Sequence, residues 1–182
     1  MKTATLALLL LTLYSCIPTR IAPKIDTHKI VETKKFSKEL PQGSGFAFED
    51  PKDANEFYSY VNSKYDLAYT EVEYNVPFEL DEKTLYLSFY ECERTTKTIN
   101  LIPILVDAKL ENDGSTPLLE DLHTSRSGQW YIIITVRDAA LKDVLNKDHE
   151  QHGVLKEYLE SLRQEYLATH HYNELNLRAG GQ

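Results

Sequence analysis

A chain of 182 residues with 42% apolar side chains is long enough for one domain with a substantial core. Its 28 acidic side chains outnumber 20 basic ones, for a net charge of −8. That balance leaves no electrostatic footprint for nucleic acid and sets the chain against anionic lipid surfaces. The two cysteines, Cys16 and Cys92, are too few for a disulfide scaffold.

At the N-terminus Lys2 precedes an apolar run over residues 4–13. The run falls short of the ~20 residues that span a bilayer and has the length and flanks of a secretory h-region. It closes on Leu13-Tyr14-Ser15-Cys16, with Leu three positions ahead of a cysteine and a small residue directly before it. This arrangement resembles the lipobox of bacterial lipoproteins, with Tyr14 bulkier than that pattern usually places there. The resemblance implies that residues 1–15 are a signal peptide that is removed, and that Cys16 becomes a lipidated N-terminus. One acyl chain holds a protein only marginally at roughly 0.8 kcal/mol per buried CH₂, whereas two or three hold it stably. Ile17 rather than an acid follows Cys16, which by resemblance to sorting signals implies an outer-membrane anchor facing the periplasm. Losing Lys2 leaves 19 basic against 28 acidic side chains, so lipid on Cys16, and not a basic patch, makes the membrane contact. Cys92 then reads as a quiet, partly buried thiol.

Residues 16–45 read as the lipidated cysteine and a tether, punctuated by Pro18, Pro23, Pro41, Gly43 and Gly45. Only the stretch around His28-Lys29-Ile30-Val31 suits a short strand or helix. A single domain over 46–172 follows, with a frayed tail over 173–182. Asp50-Pro51-Lys52-Asp53 has the composition of a helix start, and Ala54, Phe57, Tyr58, Val61 and Tyr65 recur at helical spacing behind it. Val72, Tyr74 and Val76 alternate with polar residues and predict a strand over 69–76; Leu85, Leu87 and Phe89 predict another over 84–94. Thr95-Thr96-Lys97 reads as a turn into a third strand over 99–110, where Pro103 marks an edge or a bulge. A turn at Asp113-Gly114 and a loop or short helix over 116–128 lead to the most apolar strand, 130–136. Asp138 reads as the cap of a helical segment carrying Leu141, Val144 and Leu145. Val154, Leu155, Tyr158, Leu159, Leu162, Tyr166 and Leu167 predict a long amphipathic helix ending near His170. The order predicts an α+β fold: an antiparallel meander of about four strands, with an N-terminal helix and a C-terminal helix pair packed on one face.

The densest polar cluster, Glu120-Asp121-Leu122-His123-Thr124-Ser125-Arg126, holds a serine, a histidine and acids. Residues so close in sequence seldom assemble a catalytic triad, and no glycine-flanked elbow surrounds Ser125. The cluster reads instead as a recognition loop, with His123, Arg126 and Trp130 as a candidate contact surface. His149 and His152 are weak metal candidates: they sit three apart rather than the four of a metalloprotease helix, and a charged connection between helices explains them more simply. His170 and His171 suit a helix C-terminus. The stretch 107–114 departs from a calcium loop because Lys109 occupies a ligand position. Among the aromatics, Phe57, Tyr58, Phe89, Tyr158 and Tyr166 fall on core faces, whereas Tyr60, Tyr86, Tyr90 and Tyr172 fall on opposite faces and suit either a protein or glycan contact or a sheet buried on both sides.

The segments over 46–58 (Phe46-Ala47-Phe48-Glu49-Asp50-Pro51 onward), 98–104 and His123-Thr124-Ser125-Arg126 resemble those of small uncharacterised lipoproteins of Bacteroidota. That resemblance implies localisation and one-domain architecture, and carries no activity, cofactor or catalytic residue. The expectation is a lipid-anchored periplasmic domain without cofactor that binds another envelope protein. A metal-dependent or hydrolytic envelope enzyme and a structural scaffold are the alternatives.

Overall fold

The computed structural model describes residues 16–100, 124–170 and 172. Contacts divide the chain into two units, Met1–Pro23 with Glu93–Gln129, and Lys24–Cys92 with Trp130–Gln182. In the first, β1 (Cys16–Arg20) pairs antiparallel with the far end of β5 (Lys83–Asn100), Cys16 opposite Asn100 and Ile17 opposite Ile99. The register slips between Pro18 and Arg20, as a proline that cannot donate to the ladder requires. The turn expected at Thr95-Thr96-Lys97 is instead continuous strand, and Ala22 N–H donates to Thr96 Oγ1 at 3.1 Å. Pro103 and the turn at Asp113-Gly114 lie outside the described residues.

The second unit is α+β, as expected, with a five-strand antiparallel sheet. Its strands are β2 (Lys29–Glu32), β3 (Ser44–Asp50), β4 (Val76–Leu80), β5 and β6 (Thr124–Asp138), and they lie in the order β2–β3–β6–β5–β4. The order differs from a simple meander because α2 (Glu56–Tyr65) separates β3 from β4, leaving the last strand, β6, beside β3. Alternation assigns the two faces. Phe46 and Phe48 of β3, Ile132, Ile134 and Val136 of β6, and Leu85, Leu87 and Phe89 of β5 pack in one core with both α2 and α3 (His152–Ala168). Phe57 is its aromatic hub, with ring centroids 4.9 Å from both Phe89 and Tyr166 and 5.9 Å from Phe48. Ala47, Tyr131 and Ile133 point the other way, into a smaller core closed by α1 (Thr33–Phe36) and Leu40.

Several expectations are corrected. The stretch read as a tether supplies β2 and α1, and buries Ile25, Phe36 and Leu40. Gly45 belongs to this packing: a Cβ there would lie 2.7 Å from Ile133 Cγ2, so only glycine lets β3 pass under α1. Asp50 ends a strand and does not cap a helix; the helix begins six residues later, after Asn55 in a left-handed conformation (φ 65°). Of the strand expected over 69–76 only Val76 is strand, opening β4; the rest is a series of turns, because Asn62 Oδ1 takes the Tyr69 N–H at 2.7 Å and Tyr69, Glu71 and Asn75 have positive φ. Only one of the C-terminal helix pair forms. Asp138 Oδ1 captures the N–H groups of Ala140 (2.9 Å) and Lys142 (2.8 Å), an aspartate turn that competes with helix. The chain then returns beside β6, Val144 N–H donating to the Val136 carbonyl at 3.1 Å. Tyr60, expected on an exposed face, is fully buried, and its hydroxyl donates to Glu165 at 2.9 Å.

Candidate functional site

Three adjacent strands of the helix-bearing face change chemistry at the same end. On β3 the inward series Phe46, Phe48 continues to Asp50; on β6 Val136, Ile134, Ile132 continues to Trp130; on β5 Leu85, Leu87, Phe89 continues to Glu91. Residues two apart on a strand share a face, so Asp50, Trp130 and Glu91 occupy the face of the core just beyond its edge. Asp50 and Trp130 are direct cross-strand partners. With Lys52, Asp53 and Ala54 of the β3–α2 connection, they line a cavity of about 220 Å³ floored by Tyr131 and Ile132. Trp130 keeps 45% of its surface exposed while Tyr131 to Val136, which follow it in β6, are buried.

The carboxylates are held from outside the cavity. The Tyr166 hydroxyl, near the end of α3, donates to both oxygens of Asp50 at 2.9 and 3.1 Å, and the Lys52 backbone N–H donates to Oδ1 at 3.1 Å. Lys52 Nζ donates to the carbonyls of Tyr166 (2.6 Å) and Thr169 (2.5 Å) and lies 4.4 Å from the Tyr166 ring centroid. This puts a cation on the negative end of α3. The backbone N–H of Asn55 favours the charged form of Glu91. Burial pushes Asp50 above the usual carboxylate range, partly opposed by the Lys52 N–H and the Tyr166 hydroxyl. Burial likewise raises Glu91 and lowers Lys52. The Tyr166 hydroxyl is raised by its burial and by the Asp50 charge, so it stays a donor.

Of the expected contact residues, Trp130 forms a wall of this cavity. Arg126 lies in β6, in the first unit, and His123 lies outside the described residues. Cys16 opens β1. His149, in the turns before α3, and His152, which opens α3, are each engaged. His149 Nε2 faces Asp138 Oδ2 at 3.5 Å and its Nδ1 accepts the Gln151 N–H at 3.2 Å; His152 Nδ1 faces the Leu145 carbonyl at 3.0 Å. Among the described residues no group of three or more His, Cys, Asp or Glu is placed to hold a metal ion, and no helix is long and apolar enough to cross a membrane.

Local pattern hides Asp50 and Glu91: the first matches a helix cap and the second a polar strand end. A signal is nonetheless present, since each is an acid standing where an alternating apolar series should place its next core residue. Comparison with family models, with curated proteins and with solved structures finds no match.

Proposed function

We propose that this chain is a lipid-anchored domain of the bacterial envelope that binds another envelope protein through the cavity walled by Trp130. One observation carries the binding half: a sheet face that is otherwise core ends in an exposed indole flanked by two carboxylates, that of Asp50 held by the Tyr166 hydroxyl. Tryptophan contributes large contact area at low entropic cost and dominates many interfaces when it enters a desolvated pocket. The anchoring half rests on Leu13, Ser15 and Cys16 of the sequence.

Chemical crosslinking in isolated envelopes, read by mass spectrometry, tests both halves. The native protein is expected to capture one dominant partner. Trp130→Ala is expected to lose it while the melting temperature falls by no more than a few degrees, and Cys16→Ser to lose it by leaving the membrane fraction. Equal capture by Trp130→Ala overturns the site, and retention of Cys16→Ser at the membrane overturns the anchor.

A second reading, a hydrolytic enzyme, is favoured by one fact: burial acts on both Asp50 and Glu91 in the direction a general acid needs. Turnover of a chromogenic ester or glycoside that disappears in Glu91→Gln supports that reading.

A further inference from the structure

Resting on the reading of this cavity as a protein-binding site, we propose that it receives a basic side chain, arginine or lysine, of the partner. The indole of Trp130 offers the face over which a guanidinium or ammonium group is attracted, and carboxylates approach it from both neighbouring strands. Three carboxylates line the cavity, those of Asp50, Asp53 and Glu91, against one ammonium, that of Lys52. That ammonium is spent elsewhere, on the Tyr166 and Thr169 carbonyls and over the Tyr166 ring. The cavity thus presents uncompensated negative charge beside an aromatic wall, within a volume of about 220 Å³ that suits one long side chain.

The arrangement is preorganised. Tyr166 and the Lys52 N–H fix the Asp50 carboxylate, so little ordering of that group remains to be done when a cation enters. Burial raises both carboxyls from their ordinary values, and a cation between them opposes that shift. A sugar could stack on the same indole, but it would leave this charge excess unanswered. An acidic partner is opposed by it.

Trp130 is the one tryptophan in the sequence, so fluorescence excited at the red edge of absorption, where the 12 tyrosines do not absorb, reports this cavity. The experiment titrates the full-length protein with N-acetyl-arginine amide, N-acetyl-lysine amide, N-acetyl-glutamine amide and glucose. A saturable change with the two cations and none with the neutral probes is expected. Asp50→Asn with Glu91→Gln keeps both the fluorophore and the shape of the side chains, and the amide oxygen introduced in place of the Asp50 carboxylate can still accept from Tyr166. This double variant should bind the cationic probes at least about tenfold more weakly, the scale of losing one hydrogen bond to a charged group. An unchanged circular-dichroism melt would place the loss in the site.

No saturable response to either cation overturns the proposal, as does an equal response to glutamine amide or glucose. Partner capture distinguishes the two levels. Capture lost in Trp130→Ala without any cation response retains the protein-binding site and removes its basic ligand. Cation binding with no captured protein removes the protein partner and reassigns the cavity to a free cationic ligand.

Discussion

The helix-bearing face of the sheet has two ends built by the same three strands, and they behave oppositely. At one end Phe48, Phe57, Phe89 and Tyr166 meet ring against ring, with Ile132 in the same core, and exclude water. At the other, one step further along each strand, Asp50, Trp130 and Glu91 stand open to a cavity. Alternation is unbroken across the change, so the backbone treats both ends alike. The composition does not. A fold selected for stability alone would continue the apolar series or end it in small polar groups. Placing acids in half-buried positions and an indole between them lowers stability locally, which is what a site does and a core does not.

The largest effect should come from breaking the closed end. Phe57→Ala removes the ring that joins Phe48, Phe89 and Tyr166, and its cost is about 3–5 kcal/mol. Thermal or denaturant unfolding reads the loss, and any binding by the open end should vanish with the fold. Tyr166→Phe comes next because Tyr166 belongs to both ends. Its ring stays in the core, but Asp50 loses a hydroxyl donor, at a cost of about 1–2 kcal/mol. Here the melting temperature should fall modestly while cation binding at Trp130 falls further, since the carboxylate is no longer held.

Glu160→Gln serves as a control remote from both ends. Glu160 bridges His28 Nδ1 (2.7 Å) and Arg163, whose hydrogen bonds lead the causes that pull its carboxyl down to about 2. A depressed carboxyl contributes stability above its unfolded value near 4.5, and that contribution disappears as the pH falls toward 2. The group is partly solvated and screened, so the variant should cost about 1 kcal/mol at neutral pH. It should flatten the acid limb of the stability profile and leave capture unchanged. Asp50→Asn and Glu91→Gln should do the reverse. Their carboxyls are raised in the fold, so ionisation works against stability above the folded value, and stability recovers as the pH falls through it toward the unfolded value. Each variant should be no less stable than the native protein at neutral pH, by chemical denaturation, and should still lose binding. The smallest effect on stability belongs to Trp130→Ala, half exposed, at about 1 kcal/mol or less in the same measurement.

Much of the closed end was legible in the sequence. Leu155, Leu159, Leu162 and Tyr166 declare α3 by spacing, and Leu85-x-Leu87-x-Phe89 declares the inward face of β5. What escaped were features decided by single side chains acting on nearby backbone. Asp138 turns the chain where Leu141, Val144 and Leu145 suggest helix, and Asn62 coils residues that alternate as a strand should. His28 was invisible for another reason: its stacking on Phe46, ring centroids 4.5 Å apart, and its bond to Glu160 are long-range contacts no local pattern encodes. At the open end Trp130 stands out in the sequence as a large aromatic beside a polar cluster. Its companions do not, because Asp50 in front of Pro51 matches a helix start better than a strand end.

The most direct test of the open end as a binding site is to place a photo-crosslinking phenylalanine analogue at position 130, and separately at position 69. Tyr69 is 73% exposed and lies in the turns after α2, outside the residues that line the cavity. Irradiation of envelopes should give one discrete protein adduct from position 130 and none from position 69. Equal adducts from both positions, or none from position 130, would contradict the account.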